Sequence, residues 1–155
     1  MRIMKLEKVD VSDLSEILAL QHLAYQSEAR LFSSQDIPPL RQTLEDLTEE
    51  YQKSGAQFWK VLDQGKIIGS VRTEKNQGTV YIGKLMVDPV YQKWGIGSQM
   101  MKRVEQMYQG YRLELFTSSR SICNIRLYEK LGYQKCRDQK INDELTLVFM
   151  EKKAI

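Results

Sequence analysis

At 155 residues, 42% of them apolar and 28% charged, the chain has the length and composition of one soluble globular domain with a real core. A net charge of +3 suits an anionic ligand, but no basic cluster or arginine-rich helix gives a nucleic-acid footprint. No run reaches the length of a membrane span, and Met-Arg-Ile-Met-Lys-Leu-Glu-Lys at the start lacks the apolar centre of a signal peptide.

Cys123 and Cys136 have neither metal spacing nor a second pair, so they read as buried or idle thiols in a reducing compartment. A cytoplasmic protein with no metal, no membrane contact and no nucleic-acid partner is expected.

In chain order, the alternation from Ile3 to Val9 predicts a short, half-exposed strand. Ser12 or Asp13 can cap a helix, with Glu16 completing a capping box from Asp13. Leu14, Ile17, Leu18, Gln21 and Tyr25 form one stripe of that helix, which is expected to run to about Ala29. His22, the single histidine, lies off the densest part of the stripe and reads as a surface residue. A loop over 30–39 ends in two prolines that lead into a second helix, Leu40 to Lys53. Phe32 and Ile37 in the loop serve either as tethers to the core or as a wall beside a substrate.

Phe58 to Leu62 and Ile67 to Thr73 flank Asp63-Gln-Gly-Lys66 and predict a hairpin. Asn76-Gln-Gly78 turns into a third strand, Val80 to Val87, which Asp88-Pro89 stops because proline has no N–H for the ladder. Gln92-Lys-Trp-Gly-Ile-Gly97 follows. A helix begins at once, with Ile96, Met100, Val104 and Met107 at helical spacing. Glycines between a strand end and a helix start allow unpaired N–H groups to crowd one point, and such a point attracts phosphate. A tight turn where helix meets sheet is the structural alternative. A dinucleotide loop would need a third glycine, and a Walker loop would need lysine beside Ser98; both are missing.

Tyr111 to Ser118 is another strand, expected to lie parallel to strand 80–87 through a right-handed crossover, side by side or splayed if something separates them. Ser121 to Leu131 is a helix stopped by Gly132, and Tyr133 to Arg137 and Glu144 to Glu151 close the chain as strands. There is no repeat and no dividing linker.

Gln92-Lys93-Trp94-Gly95-Ile96-Gly97 resembles the Q/R-x-x-G-x-G/A acyl-CoA loop of GNAT-type N-acetyltransferases. Asn124 followed by Leu127-Tyr-Glu-Lys-Leu-Gly-Tyr133 resembles the family's second motif. With the element order, the resemblance covers nearly the whole chain. It implies a single N-acetyltransferase domain over 1–155. The implied fold is mixed α/β: a mostly antiparallel sheet, flanked by helices, with a V-shaped splay between strands 80–87 and 111–117.

The implied cosubstrate is acetyl-CoA. Its pantetheine would pair with the backbone of Leu85, Met86 and Val87, as an added strand satisfies idle backbone groups. Its pyrophosphate would rest on Gln92, Lys93, Trp94, Gly95, Ile96, Gly97 and Ser98, and Asn124 would face the pantetheine arm. The backbone N–H of Leu85 or Met86 would hold the oxyanion, and Tyr128 would be general acid to the departing thiolate. By periodicity alone Tyr128 is an aromatic on the core face of its helix, and Tyr133 and Tyr81 read as packing residues.

Many relatives carry a glutamate base near the position of Tyr81. Strand 80–87 has no carboxylate, which leaves Glu74, Glu114 or a water chain. The acceptor is a small amine or a peptide or protein amine, and the protein a monomer or homodimer. A non-catalytic acyl-CoA-binding module is the alternative of another class.

Overall fold

The computed structural model describes residues 5–154. Their elements, in order, are β1 (Glu7–Lys8), a 3-10 turn (Val11–Asp13), α1 (Leu14–Ala24), α2 (Gln26–Leu31), α3 (Pro38–Arg41), α4 (Leu44–Gln52), β2 (Ala56–Asp63), β3 (Lys66–Asn76), β4 (Thr79–Val87), a 3-10 turn (Pro89–Tyr91), α5 (Ile96–Met107), β5 (Arg112–Ser118), α6 (Ile122–Lys130), β6 (Gln134–Lys140) and β7 (Thr146–Lys152). They build a seven-stranded sheet in the order β1-β2-β3-β4-β5-β7-β6. Only β4 and β5 are parallel; every other neighbouring pair is antiparallel. This is the mixed, mostly antiparallel α/β architecture expected from the sequence. Ile3 and Met4 of the expected first strand lie outside the described residues.

The sheet carries a core on each face. On one, Val71, Val80, Ile82, Leu113 and Leu115 pack with Met100, Met101 and Val104 of α5 and with Tyr128 of α6. On the other, Phe58, Ile67 and Met86 pack with Leu14, Ile17 and Leu20 of α1 and Leu47 of α4. Burying side chains of this size contributes about 1.5–3 kcal/mol each. A Cβ on Gly69 would lie 3.0 Å from Met100 Sδ, so α5 approaches β3 this closely because residue 69 has no side chain.

Two helices expected to be continuous are divided. The first stops at Tyr25 (φ −86°, ψ 4°) and resumes as α2. The second breaks at Gln42, which is extended (φ −61°, ψ 130°), and restarts at Thr43, whose Oγ1 accepts from Asp46 N–H (3.1 Å) while Asp46 accepts from Thr43 N–H (3.1 Å). That reciprocal capping box is written in the sequence as Thr43-Leu-Glu-Asp46. The box expected from Asp13 and Glu16 forms one turn earlier, between Asp10 and Asp13. Glu16 instead accepts the N–H of Ile67 (2.8 Å) and ties α1 to the start of β3.

Three points left to the structure are now placed. Both cysteines are exposed free thiols, the idle one of the two readings. Tyr81 is 39% exposed and does not pack in the core, whereas Tyr133 is buried. Ile37 is buried, so it is an anchor of the 30–39 loop. Among the described residues no helix is long and apolar enough to cross a membrane.

Candidate active site

The site begins where β4 and β5 part. They pair only over Thr79–Ile82 and Arg112–Leu115. Beyond Ile82, β4 continues to pair with β3 on its other edge, while β5 pairs with β7 alone. The β5-facing backbone edge of residues 83–87 therefore has no strand partner, and Leu85, Met86 and Val87 lie on it.

A β-bulge sits at the point of divergence. Ser70 is opposite Met86 and Arg72 is opposite Gly83, so Lys84 and Leu85 share the place facing Val71. Lys84 takes φ +50°, a left-handed conformation costly for a residue with a side chain. The bulge turns Lys84 and Met86 towards the α1–α4 face and leaves Leu85 and Val87 on the α5–α6 face.

The glycine loop closes the open end. Lys93 (φ +72°) and Gly95 (φ +76°) are both left-handed, and Gly95 is the N-cap of α5. The first backbone bond of α5 runs from Gln99 N–H to Gly95 O (3.1 Å), so the N–H groups of Ile96, Gly97 and Ser98 have no partner within the helix. A Cβ on Gly97 would touch Leu85 Cδ2 (3.9 Å), Val87 Cγ2 (3.9 Å) and Leu127 Cδ2 (4.0 Å). The bare Gly97 thus leaves a gap where β4, α5 and α6 meet. Gln92, Lys93 and Trp94 are exposed on its rim, and Trp94 stands edge-on to Tyr91 (5.2 Å). Buried Asp88 fixes the turn by accepting from Val90 N–H (3.0 Å). The donors, the gap and the unpaired strand edge fit a linear ligand with a phosphate at one end.

Across the cleft, α6 presents Tyr128 and Asn124. Asn124 is exposed, with Nδ2 3.5 Å from Thr117 Oγ1. Tyr128 is buried, and its ring meets Tyr133 edge-on (6.1 Å). Its hydroxyl makes no hydrogen bond with a described residue, whereas that of Tyr133 donates to Glu105 (3.0 Å). Burial first, then the nearby Tyr25 and Glu28, push the Tyr128 phenol well above the usual tyrosine range, so it stays protonated.

The opposite wall holds residues that motif reading did not single out. Tyr25, at the α1–α2 break, has its phenol pushed up to about 12 by burial, against the pull of Arg72. Arg72 is 5% exposed; it donates to both Glu50 oxygens (3.0 and 3.1 Å) and to Gln21 Oε1, and it stacks over Phe58 (4.6 Å). Gln21 in turn donates to Pro39 O (2.8 Å) and Gln42 Oε1 (2.8 Å). The signal for this network was a glutamine on the apolar stripe of α1 and an arginine continuing an apolar strand. Polar residues at such positions pair with each other when buried.

The two carboxylates considered as bases lie elsewhere. Glu74 is paired with Lys53 (2.8 Å) and Glu114 with Arg112 (2.8 Å), and both stand opposite Tyr81 in the closed part of the sheet. The His22 ring lies 3.3 Å from Gln42 O through Nε2, the His22 carbonyl accepts from Gln26 Nε2 (3.1 Å), and neither contact orients the ring as a base. Among the described residues no group of three or more His, Cys, Asp or Glu side chains could hold a metal ion.

Comparison with known proteins gives the family and the fold. Residues 22–154 match the family described as Acetyltransferase (GNAT) domain. UPF0157 protein YqkA of Bacillus subtilis is 30% identical over 133 residues, 85% of this chain, and N-acetylaspartate synthetase of Xenopus tropicalis is 30% identical over 101 residues, 61% of it. The matched segments are 38% and 37% of those proteins' lengths, so the chain resembles only part of each.

Among solved structures, PaiA N-acetyltransferase from Thermoplasma acidophilum, in complex with coenzyme A, superposes with a TM-score of 0.83 at 16% identity, covering 99% of both chains. The ribosomal-protein-S18-alanine N-acetyltransferase of Escherichia coli gives 0.78 at 15% identity, covering 96% of this chain and 92% of its own. Spermidine N-acetyltransferase from Vibrio cholerae, in complex with CoA and spermine, gives 0.76 at 17%, covering 97% and 95%. A sheet split beside a glycine-capped helix, a family match over most of the sequence and the same fold in several N-acetyltransferases together place this chain in the GNAT acetyltransferase family.

Proposed function

We propose that the protein transfers an acetyl group from acetyl-CoA to a primary amine, with Tyr128 acting on the departing sulfur. The observation that carries this reading is the Tyr128 hydroxyl, unbonded to any described residue, on the helix that meets the open stretch of β4 at Gly97. Pantetheine amides would pair with Leu85, Met86 and Val87, the pyrophosphate would take the N–H groups of residues 92–98, and Asn124 would face the pantetheine arm.

The amine lone pair forms the new C–N bond at the thioester carbonyl, and the Leu85 or Met86 N–H holds the oxyanion. The C–S bond then breaks, and the thiolate takes a hydrogen bond and finally a proton from Tyr128. Raised by burial, the phenol is a weaker acid than an alkyl thiol, so its first contribution is a hydrogen bond to the charge building on sulfur, and proton transfer comes last. The surplus ammonium proton leaves through water, consistent with Glu74 and Glu114 being held in ion pairs at the closed end of the sheet.

The acceptor is a small amine or a peptide or protein amine. Proteins of this fold bear names as different as spermidine and ribosomal-protein-alanine N-acetyltransferases, so the fold alone does not select.

The test is incubation of the protein with acetyl-CoA and a panel of amines, following free CoA by thiol titration and the N-acetylated product by mass spectrometry. Stoichiometric appearance of both is the expected result. Tight CoA binding without turnover on any amine would instead identify a binding module. A crystal of the CoA complex with its phosphates away from residues 92–98 would overturn the site itself.

A further inference from the structure

One cation in the acceptor-side wall has no partner among the described residues. Lys84, on the bulge immediately before Leu85, is half-buried and makes no hydrogen bond or ion pair with any described residue. It lines a depression of ≈ 360 Å3 together with Pro38, Arg41, Gln42 and Asp46. None of the nearby acids reaches the Lys84 ammonium, and each has a partner of its own. Glu50 accepts two bonds from Arg72 and one from Gln42 (2.8 Å), Asp36 pairs with Arg41 (3.1 Å), and Asp46 caps α4 at Thr43.

Glu50 is the carboxylate whose charge reaches both Lys84 and Arg72, and its oxygens bond Arg72 and Gln42, not Lys84. Arg72 Nε is itself buried without a hydrogen-bond partner. A charge taken out of water without a counter-ion is costly, and a site that keeps one stabilises an incoming anion. The backbone at Lys84 is also in a conformation glycine would adopt more cheaply, yet the neighbouring glycine, Gly83, is not the residue placed there.

We propose that the acceptor is an amine that also carries a carboxylate, an amino-acid-type substrate, and that Lys84 binds that carboxylate. The inference rests on the acetyl-transfer reading above and narrows its acceptor. A carboxylate on Lys84 leaves the amine free to extend past Arg72 and Glu50 towards Tyr25, whose phenol neighbours that of Tyr128. A polycationic amine would meet Lys84 and Arg41 as like charges. Burial and the nearby Arg72 hold the Lys84 ammonium below the usual lysine range, while Glu50 opposes them. A bound carboxylate supplies the missing counter-charge.

The test measures kcat/KM for L-amino acids against their own carboxamides, and against spermidine, in the wild-type chain and in Lys84→Met and Lys84→Arg. The acids should be preferred by roughly 10- to 100-fold, the range for one charge-assisted hydrogen bond. Lys84→Met should collapse that ratio through the KM of the acid, and Lys84→Arg should restore part of it. Thermal melts of both variants distinguish a lost contact from a lost fold. Equal use of acids and amides, or a preference untouched by Lys84→Met, would overturn the carboxylate assignment alone. A fall in kcat on every amine in Lys84→Met, with a displaced pH profile, would make Lys84 a base and overturn its role as anchor. Acetyl-CoA binding with no amine of any kind acetylated would sink the transfer reading itself.

Discussion

Ser121, at the head of α6, donates its hydroxyl to the Glu28 carboxylate on α2 (2.7 and 2.8 Å to the two oxygens). This contact fastens the helix that carries Tyr128 to the wall opposite. Arg120 reinforces it by donating to Leu31 O (3.1 Å) and stacking over Phe32 (4.8 Å). Ser121 is buried, so Ser121→Ala leaves Glu28 without that donor and should cost about 1–2 kcal/mol, read as a lower urea midpoint. The acceptor KM should rise while the CoA dissociation constant changes little, because the glycine loop lies at the far end of the cleft.

Tyr128→Phe removes a hydroxyl that no described residue uses, and it retains the ring against Tyr133. Melting temperature and CoA affinity should therefore stay close to wild type. Turnover should fall by roughly 100- to 10,000-fold, the usual contribution of a positioned general acid. Stopped-flow release of free CoA checks this, and an unaltered rate would remove Tyr128 from the chemistry.

Arg72 and Glu50 offer a second stability test. Arg72→Met leaves Glu50 and Gln21 short of a buried donor. Breaking a fully buried pair costs about 3–5 kcal/mol; Glu50 is 35% exposed at its side chain, which lowers the expectation to about 2–3 kcal/mol. Replacing both residues with apolar ones should cost less than the sum of the single changes, which a double-mutant cycle in urea measures.

Stability should also decline at alkaline pH in a particular window. Burial raises the phenols of Tyr25, Tyr128 and Tyr133, to about 12 for Tyr25 and beyond that for the other two. An unfolded tyrosine loses its proton near pH ~10. Above that value the unfolded chain binds fewer protons than the native one, so ΔG of unfolding falls as pH rises. The tyrosine contribution is fully present below about pH 10 and is lost as pH climbs through the folded values. Urea midpoints between pH 9 and 12 should show the decline, and Tyr128→Phe should make it shallower.

Much of this protein follows from local pattern. Gln92–Gly97 specifies a strand-to-helix turn because glycine tolerates the left-handed backbone that Gly95 adopts. The spacing of Asn124 and Tyr128 puts both one helical turn apart on α6, and alternating apolar runs separated by Gln-Gly turns define β2, β3 and β4.

The remainder depends on contacts distant in sequence. The halt of β4–β5 pairing at Ile82 and Leu115, and the bulge that turns Lys84 away from Leu85, arise from the packing of two sheet edges against separate helices. No periodicity over 79–87 encodes a register shift set by β3. The helix breaks at Tyr25 and Gln42 likewise bring Gln21, Glu50 and Arg72 together across 51 residues of chain, where burial makes each polar group depend on the others. Family membership and the two motifs were legible in local sequence alone. Which charges are paired and which are bare follows from the tertiary structure, because a lysine's partner is settled by its neighbours in space.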